Sequence, residues 1–430
     1  MKKTQYSLLA ISIALASQVH AAGFQVVEHS ASGLGRAFSG AGAVGDNSSE
    51  MSANAASMML FEKKQFSGAL SWIEPEIDVK ATGAQAAGVA GMTGTSTSDD
   101  DVAPSQLVPA FYYVNPINDK WAWGVGMYTD YGVSTDYSSD FIAGASSGHT
   151  SLTTFKFNPN IAYRINDQFS IGAGFDLVYA KAKLERTKGA AAFIPSPGLP
   201  NGLGGSPTDT LVKMEGDTFG YGWNIGALYE LNKDNRFSAS YKSAVKLKFE
   251  DGDFTDGVGI INGGGTTDAD LDIELPDIVI LSGFHQLNSQ WAVHYSWQWT
   301  NYSKFSELTA KGSSCVGPGA QPSGTCFSKQ EKYEDNQRWS IGTTYQPTDS
   351  VILRAGFAYD EQAGQATLSI PDTDRYWYTA GMTYLWTEDL SLDAGFAYID
   401  GKSGSFEESG LTFDSSGPAY IGSVQLNYTF

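Results

Sequence analysis

The feature that most constrains this chain is an alternation of period two, repeated along most of its length. Leu390, Leu392, Ala394, Phe396 and Tyr398 share one face of an extended segment, and Ser391, Asp393, Gly395 and Ala397 share the other. Val351, Leu353, Ala355, Phe357 and Tyr359 repeat the pattern against Ile352, Arg354, Gly356 and Ala358. So do Phe219, Tyr221, Trp223, Ile225, Ala227 and Tyr229, and likewise Phe155, Phe157, Pro159, Ile161 and Tyr163. Side chains of a strand point to opposite faces in turn, so each segment reads as a strand with one apolar face. After residue 21 no run approaches the eighteen or so apolar residues of a membrane helix.

An apolar face can turn inward in a soluble sandwich or outward to lipid in a barrel. Two observations favour lipid. The apolar rows often end in aromatics (Tyr163, Tyr229, Tyr359, Tyr398), as interface girdles do, and the opposite faces are rich in glycine with few long charged chains. The composition agrees, with 13% aromatic residues and 48 glycines. Connections alternate in length. Short turns fall at Asn115–Lys120, Ile165–Gln168, Asn232–Asn235, Gln286–Gln290, Gln346–Ser350 and Trp386–Asp389. Long polar loops fall near 82–105, 134–151, 187–215, 250–268, 310–328, 360–373 and 401–419. Six turns and seven loops join fourteen strands, an even number with both ends on the periplasmic side. The expected fold is therefore all-β, a 14-stranded antiparallel transmembrane β-barrel. Val424, Leu426, Tyr428 and Phe430 form the outer row of a closing strand. That ending resembles the signature read by barrel-assembly machinery, which makes this machinery an expected partner, with outer-membrane lipid and lipopolysaccharide around a single chain.

The start of the chain carries Lys2 and Lys3, then the apolar stretch Leu8–Ala16, then Val19-His20-Ala21. This reads as a secretory signal peptide over 1–21, with the mature chain starting at Ala22. Residues 22–61 break the strand pattern and are rich in Gly and Ala, while 62–430 follow it. The inward glycines (Gly124, Gly126, Gly172, Gly174, Gly220, Gly222) leave room for a plug, or hatch, made of 22–61. Without one, a fourteen-stranded barrel would be an aqueous hole. Cys315 and Cys326 lie in one Gly/Pro/Ser-rich stretch and are expected to form a local disulfide in an oxidising compartment. They lack the further ligands a metal site needs.

The formal charge is −20, more negative once Lys2 and Lys3 are removed, which disfavours nucleic acid as a partner. His29, His149, His285 and His294 sit in no nucleophile motif, so no catalytic residues are assigned. Gly33-Leu-Gly35 lacks the strand–turn–helix setting of nucleotide binding, and no cofactor is expected.

Several dispersed motifs carry a resemblance. They are Ala22-Gly-Phe-Gln25 with Ser32-Gly-Leu-Gly-Arg-Ala37, Pro116-Ile-Asn-Asp119, Tyr179-Ala-Lys-Ala-Lys-Leu-Glu-Arg186, Gly222-Trp-Asn224 with Leu228-Tyr-Glu-Leu231, and Ile370-Pro-Asp-Thr-Asp-Arg375. Together they resemble the FadL-type outer-membrane transporters of long-chain fatty acids and other hydrophobic compounds, over essentially the whole mature chain. The resemblance implies an N-terminal hatch in the lumen, an apolar tunnel, and a sideways exit at an inward kink of the third strand. That kink falls here at Tyr131 and Gly132. Family members commonly carry Asn-Pro-Ala in the hatch where this chain reads Asn54-Ala55-Ala56. Asn54 is thereby grouped with the gate, and the missing proline frees a backbone amide.

The expected ligand is a long-chain fatty acid or another hydrophobic small molecule. By parity, Val178, Ala180, Ala182, Leu184 and Arg186 face inward, giving four apolar residues followed by a guanidinium that can grip a carboxylate with two hydrogen bonds. The resemblance aligns Arg186 with a residue that meets the ligand head group and puts Phe24 beside the internal pocket. Glu334, on the inward parity of Arg338, stands where relatives can offer a lysine. Phe193, Ile194, Leu199 and Leu203 place apolar side chains on loop 187–215, which the resemblance makes part of a capture groove. The rival reading is a general diffusion porin.

Overall fold

The computed structural model describes residues 23–195 and 201–430, so the signal-peptide reading of 1–21, the mature start at Ala22, and Leu199 lie outside the described residues. The alternating segments join into one antiparallel sheet that closes on itself. Gln65–Pro75 pairs with Leu411–Thr429 on one side and with Gln106–Asn118 on the other. Twenty-one strand segments make fourteen wall strands, because seven of the wall strands are interrupted. The third is Trp121–Tyr128 followed by Gly132–Asp136, and the seventh is Asn235–Lys242 followed by Val245–Asp256. The alternation decides which face is which. Tyr221, Trp223, Ile225 and Phe357 are exposed on the outside, where lipid would cover them, while Gly222, Asn158 and Lys156 are buried within.

The wall strands run further outward than polarity suggested. Stretch 401–419 is not a loop: Leu390–Glu408 and Leu411–Thr429 continue to a tight hairpin at Ser409 and Gly410, both with positive φ. Pairing likewise carries through most of 250–268, in Val245–Asp256 and Gly265–Leu275. Beyond the apolar belt both faces are wet, so no apolar row marks the strand, and backbone pairing alone sustains it. Stretch 82–105 holds a helix, Gly83–Thr93, closed by Gly94 in the left-handed conformation. Its Ala/Gly composition gives no apolar stripe to read.

Residues 23–61 lie against the inward faces of the wall and are almost wholly buried. Asn47 and Asn54 cap the short turns Ser48–Ser52 and Ala55–Leu60, and Ser30 caps Ala31–Leu34. Wall glycines make the fit possible. A methyl group at Gly356 would stand 2.2 Å from the Arg36 carbonyl carbon, at Gly172 2.4 Å from Ala56 N, and at Gly395 2.5 Å from Ala31 O. Polar contacts fix the rest. Arg36 Nη1 and Arg354 Nη2, from segment and wall, meet Asp46 Oδ2 at 2.9 and 3.0 Å, and Arg36 also pairs with Glu50. Gln425 Oε1 accepts from Ala31 N at 2.9 Å, and Ser39 Oγ lies 2.7 Å from His294 Nδ1.

Candidate binding cavity and wall opening

Above the N-terminal segment the bore is apolar. A cavity with about 860 Å³ of atom-free space, part of it open to solvent, is lined by Phe24, Val133, Leu152, Ala182, Leu184, Met214, Phe249, Leu271, Ile273, Phe305 and Ile370. Its floor is aromatic. The Phe24 ring lies 5.8 Å from Tyr131, 5.1 Å from Tyr302, 5.1 Å from Phe305 and 6.3 Å from Tyr333. The hydroxyl of Tyr302 accepts from Phe24 N at 3.1 Å, which pins the start of the segment.

The polar end of the cavity carries Thr150, Ser369 and Glu331. Arg186 stands one layer behind. Its Nη2 donates to Thr150 Oγ1 and Ser369 Oγ, both at 3.0 Å, and its Nη1 donates to His149 O at 2.9 Å and Glu185 O at 3.1 Å. Lys329 Nζ donates to the same Ser369 Oγ at 2.8 Å, between Glu331 and Glu408.

The third wall strand turns inward between its two segments. Its ladder with the second strand ends at the Phe111–Met127 pair, while Gly132–Asp136 pairs with the fourth strand alone. The backbone groups turned away from the wall find the N-terminal segment instead. Gly132 N donates to Phe24 O at 2.8 Å, and Val26 N donates to Asp130 O at 2.7 Å. Asp136 N rejoins the second strand's side at Val102 O, 2.8 Å away, so the lapse in pairing is bounded above and below. Buried backbone groups need partners, and here the segment supplies what the neighbouring strand does not.

A family model described as "Outer membrane protein transport protein (OMPP1/FadL/TodX)" matches residues 12–430. The chain belongs to that FadL family. It is 38% identical to a long-chain fatty acid transport protein of Escherichia coli O6:H1, over 99% of this chain and 98% of that one. Among solved structures it resembles a Pseudomonas aeruginosa FadL homologue with TM-score 0.81 and 22% identity, covering 95% of this chain and 100% of that chain. It also resembles the Pseudomonas putida toluene transporter TodX with TM-score 0.63 and 17% identity, covering 88% and 93%. The protein is thus a transport protein of the outer membrane with a FadL-type barrel.

In this FadL-family barrel the residues singled out in the sequence fall in different places. Phe24, Ala182 and Leu184 line the cavity. Val178 lines a smaller void below it, and Ala180 is buried between the two in the same apolar cluster. Arg186 backs the cavity without lining it, because its Nη donors are taken by backbone and hydroxyl oxygens. Tyr131 and Gly132 sit at the inward turn, and Tyr131 donates its hydroxyl proton to Pro276 O at 2.7 Å. Asn54 lies elsewhere: its Nδ2 donates to Ala227 O at 2.9 Å and Ser238 Oγ at 2.7 Å, on the sixth and seventh strands. Phe193 and Ile194 are exposed on the outer loop, and Leu203 N donates to Ala191 O at 2.9 Å. Cys315 and Cys326 are joined, with S–S 2.06 Å.

Glu334 does not point inward. Residues 331–335 leave the ladder between Thr325–Gln330 and Asn336–Thr348, parity resets, and Glu334 is exposed while Glu331 reaches the cavity. The same breaks hid Tyr302, Phe305 and Tyr333, which stand in irregular stretches that alternation treats as strand. Also missed were Asp130, Asp176, Lys156 and Lys242, all buried. An inward charge on a spanning strand was their available signal.

Proposed function

We propose that this protein takes up long-chain fatty acids passively across the outer membrane. The acyl chain enters the apolar cavity, and the carboxylate rests at Ser369 and Thr150 in the field of Arg186 and Lys329. Phe24 and the segment behind it act as a hatch. When that segment shifts, the chain passes to the inward turn at Tyr131–Gly132 and leaves sideways through the lapse in pairing with the second strand. The observation that carries this reading is one apolar cluster that runs from the cavity lining (Leu152, Phe249, Ile273, Ile370) through Phe24 to Tyr131 at the turn. Removing tail surface from water drives entry, at about 0.8 kcal/mol per buried methylene. Phe193, Ile194 and Leu203 serve as the outer capture surface.

Likeness to the long-chain fatty acid transport protein of Escherichia coli supports the acid, and likeness to the toluene transporter TodX supports an uncharged hydrocarbon as the second reading. Glu331 at the polar end favours the latter, because it opposes an incoming anion. The test is extraction and mass spectrometry of lipid co-purifying with the folded protein, with uptake of labelled oleate and labelled toluene by cells lacking other routes. Oleate uptake with co-purified long-chain acid supports the proposal. Toluene uptake without oleate uptake selects the second reading, and free passage of small sugars selects a porin.

A further inference from the structure

Below the aromatic floor the bore changes character. Asp130 Oδ1 accepts from Lys242 Nζ at 3.0 Å, and Asp130 Oδ2 pairs with Lys156. Lys156 Nζ also meets Asp176 Oδ2 at 3.1 Å. These four side chains are buried, and they come from the third, fourth, fifth and seventh wall strands. Asp130 belongs to the inward turn itself. The pair with Lys242 therefore ties that turn to a strand far along the wall.

A void of about 320 Å³ of atom-free space, part of it open to solvent, adjoins the cluster. It is lined by Asp130, both lysines, and apolar residues that include Val178 and Leu275. Val178 lies four residues below Ala182 on one strand face, so the void sits about 13 Å along the strand from the upper cavity, towards the periplasm. Phe24 and Tyr131 stand between the two. An anionic head moving down the bore leaves Arg186 and Lys329 behind, and an unpaired charge in such surroundings is costly. Exchange avoids that cost. Asp130 keeps Lys156 when it leaves Lys242, so neither carboxylate is left bare, and among the described residues the ion pair of Lys242 is with Asp130 alone. An incoming carboxylate is chemically the same group as the one it would displace.

We propose that this void is a second carboxylate station, where the head group of an acyl anion replaces Asp130 on Lys242 and so unties the inward turn. The inference rests on the uptake reading above and deepens it: the barrel not only holds acids but discriminates them from uncharged analogues at the exit.

The experiment reconstitutes the full mature chain in liposomes and follows transfer of oleate and of oleyl alcohol, with folding checked by heat-modifiable gel migration. In Lys242→Met, oleate transfer should fall on the order of tenfold, the loss expected for one charge-assisted pair, while oleyl alcohol transfer stays within about twofold. Lys242→Arg should restore oleate. Asp130→Asn should bind oleate more tightly and release it more slowly, since Lys242 then lacks its resident anion. Equal loss for acid and alcohol in Lys242→Met assigns Lys242 a merely structural role and overturns the station, as does no change for either. Should Lys242→Met fail to fold, Asp130→Asn decides, and unaltered oleate release overturns the proposal. A wild-type protein that moves neither compound overturns the uptake reading itself, a result distinct from wild-type transfer with no acid preference.

Discussion

Glu28 is fully buried in the N-terminal segment, with Oε2 accepting from Val27 N at 2.8 Å. Burial pushes its carboxyl up from 4.5 to about 7, against the fields of Arg338 and Arg375. Between those values the freed segment has already lost its proton while the docked segment still holds one. Docking therefore weakens as pH rises from 4.5 to 7, by about 3 kcal/mol in all, and stays level above. Glu28→Gln removes that dependence. Hydrogen exchange over residues 24–34 should show stronger protection in the variant at pH 8 and little difference at pH 4.5. His29 has the opposite sign, since burial lowers it to about 4 and docking weakens as pH falls below 6.5, and the Glu28→Gln comparison cancels its effect. A second prediction concerns Arg186. Arg186→Ala strips Thr150 of its cationic partner and leaves Ser369 with Lys329, so oleate affinity should fall on the order of tenfold and oleyl alcohol affinity should hold. Isothermal titration of both ligands checks it, and parallel losses would remove the head-group role. At this scale parity was a sound guide on the fifth strand, where no break intervenes, and failed at Glu334, where five residues leave the ladder. A bulge or break shifts every later side chain to the other face, and nothing in the alternating pattern announces it.

The elements that dock the segment show what sequence could and could not supply. Wall strands and short turns follow from alternation, because lipid outside and small residues inside impose a period of two. The path of residues 23–61 does not, since it is set by point contacts: a cap at Asn54, a carboxylate at Asp46 shared by two arginines, and glycines that admit the backbone. Asp46→Asn leaves Arg36 with Glu50 and Arg354 with Asp393, but removes the charge that bridges segment and wall. With both guanidiniums still paired, the loss is that of a charged hydrogen-bond partner, roughly 1.5–3 kcal/mol. The loss should fall on the segment rather than on the barrel, giving faster proteolysis of residues 23–61 with unchanged heat-modifiable migration of the wall. The glycines offer a steric counterpart. Gly356→Val drives a side chain into Arg36, whereas a methyl group at Gly422 meets nothing within 4 Å, so Gly422→Val is the matched control. The first variant should expose the segment and the second should not. Equal behaviour would mean that the glycines are not what seats it.

For the molecule as a whole, the wall and the segment are held by different bonds, and this makes their roles separable. Among the described residues the wall ladders run between wall strands, and at the inward turn of the third strand residues 24–26 supply backbone partners. Deleting residues 23–61 should therefore leave a folded cylinder whose one new edge is that short turn. The inner face left behind is lined by small and polar groups such as Gly172, Gly226, Gly356, Gly395, His294 and Arg354, all of which water can solvate. Fourteen strands enclose enough room for an aqueous channel once nothing fills it. The intact chain should give little or no steady current in planar bilayers, because the segment and the aromatic floor together close the bore. The deletion variant should give large, ohmic, long-lived steps and should let small sugars leak from liposomes. If it folds and stays silent, wall side chains alone must close the lumen, and the segment would then be a support for the cavity floor and not its stopper.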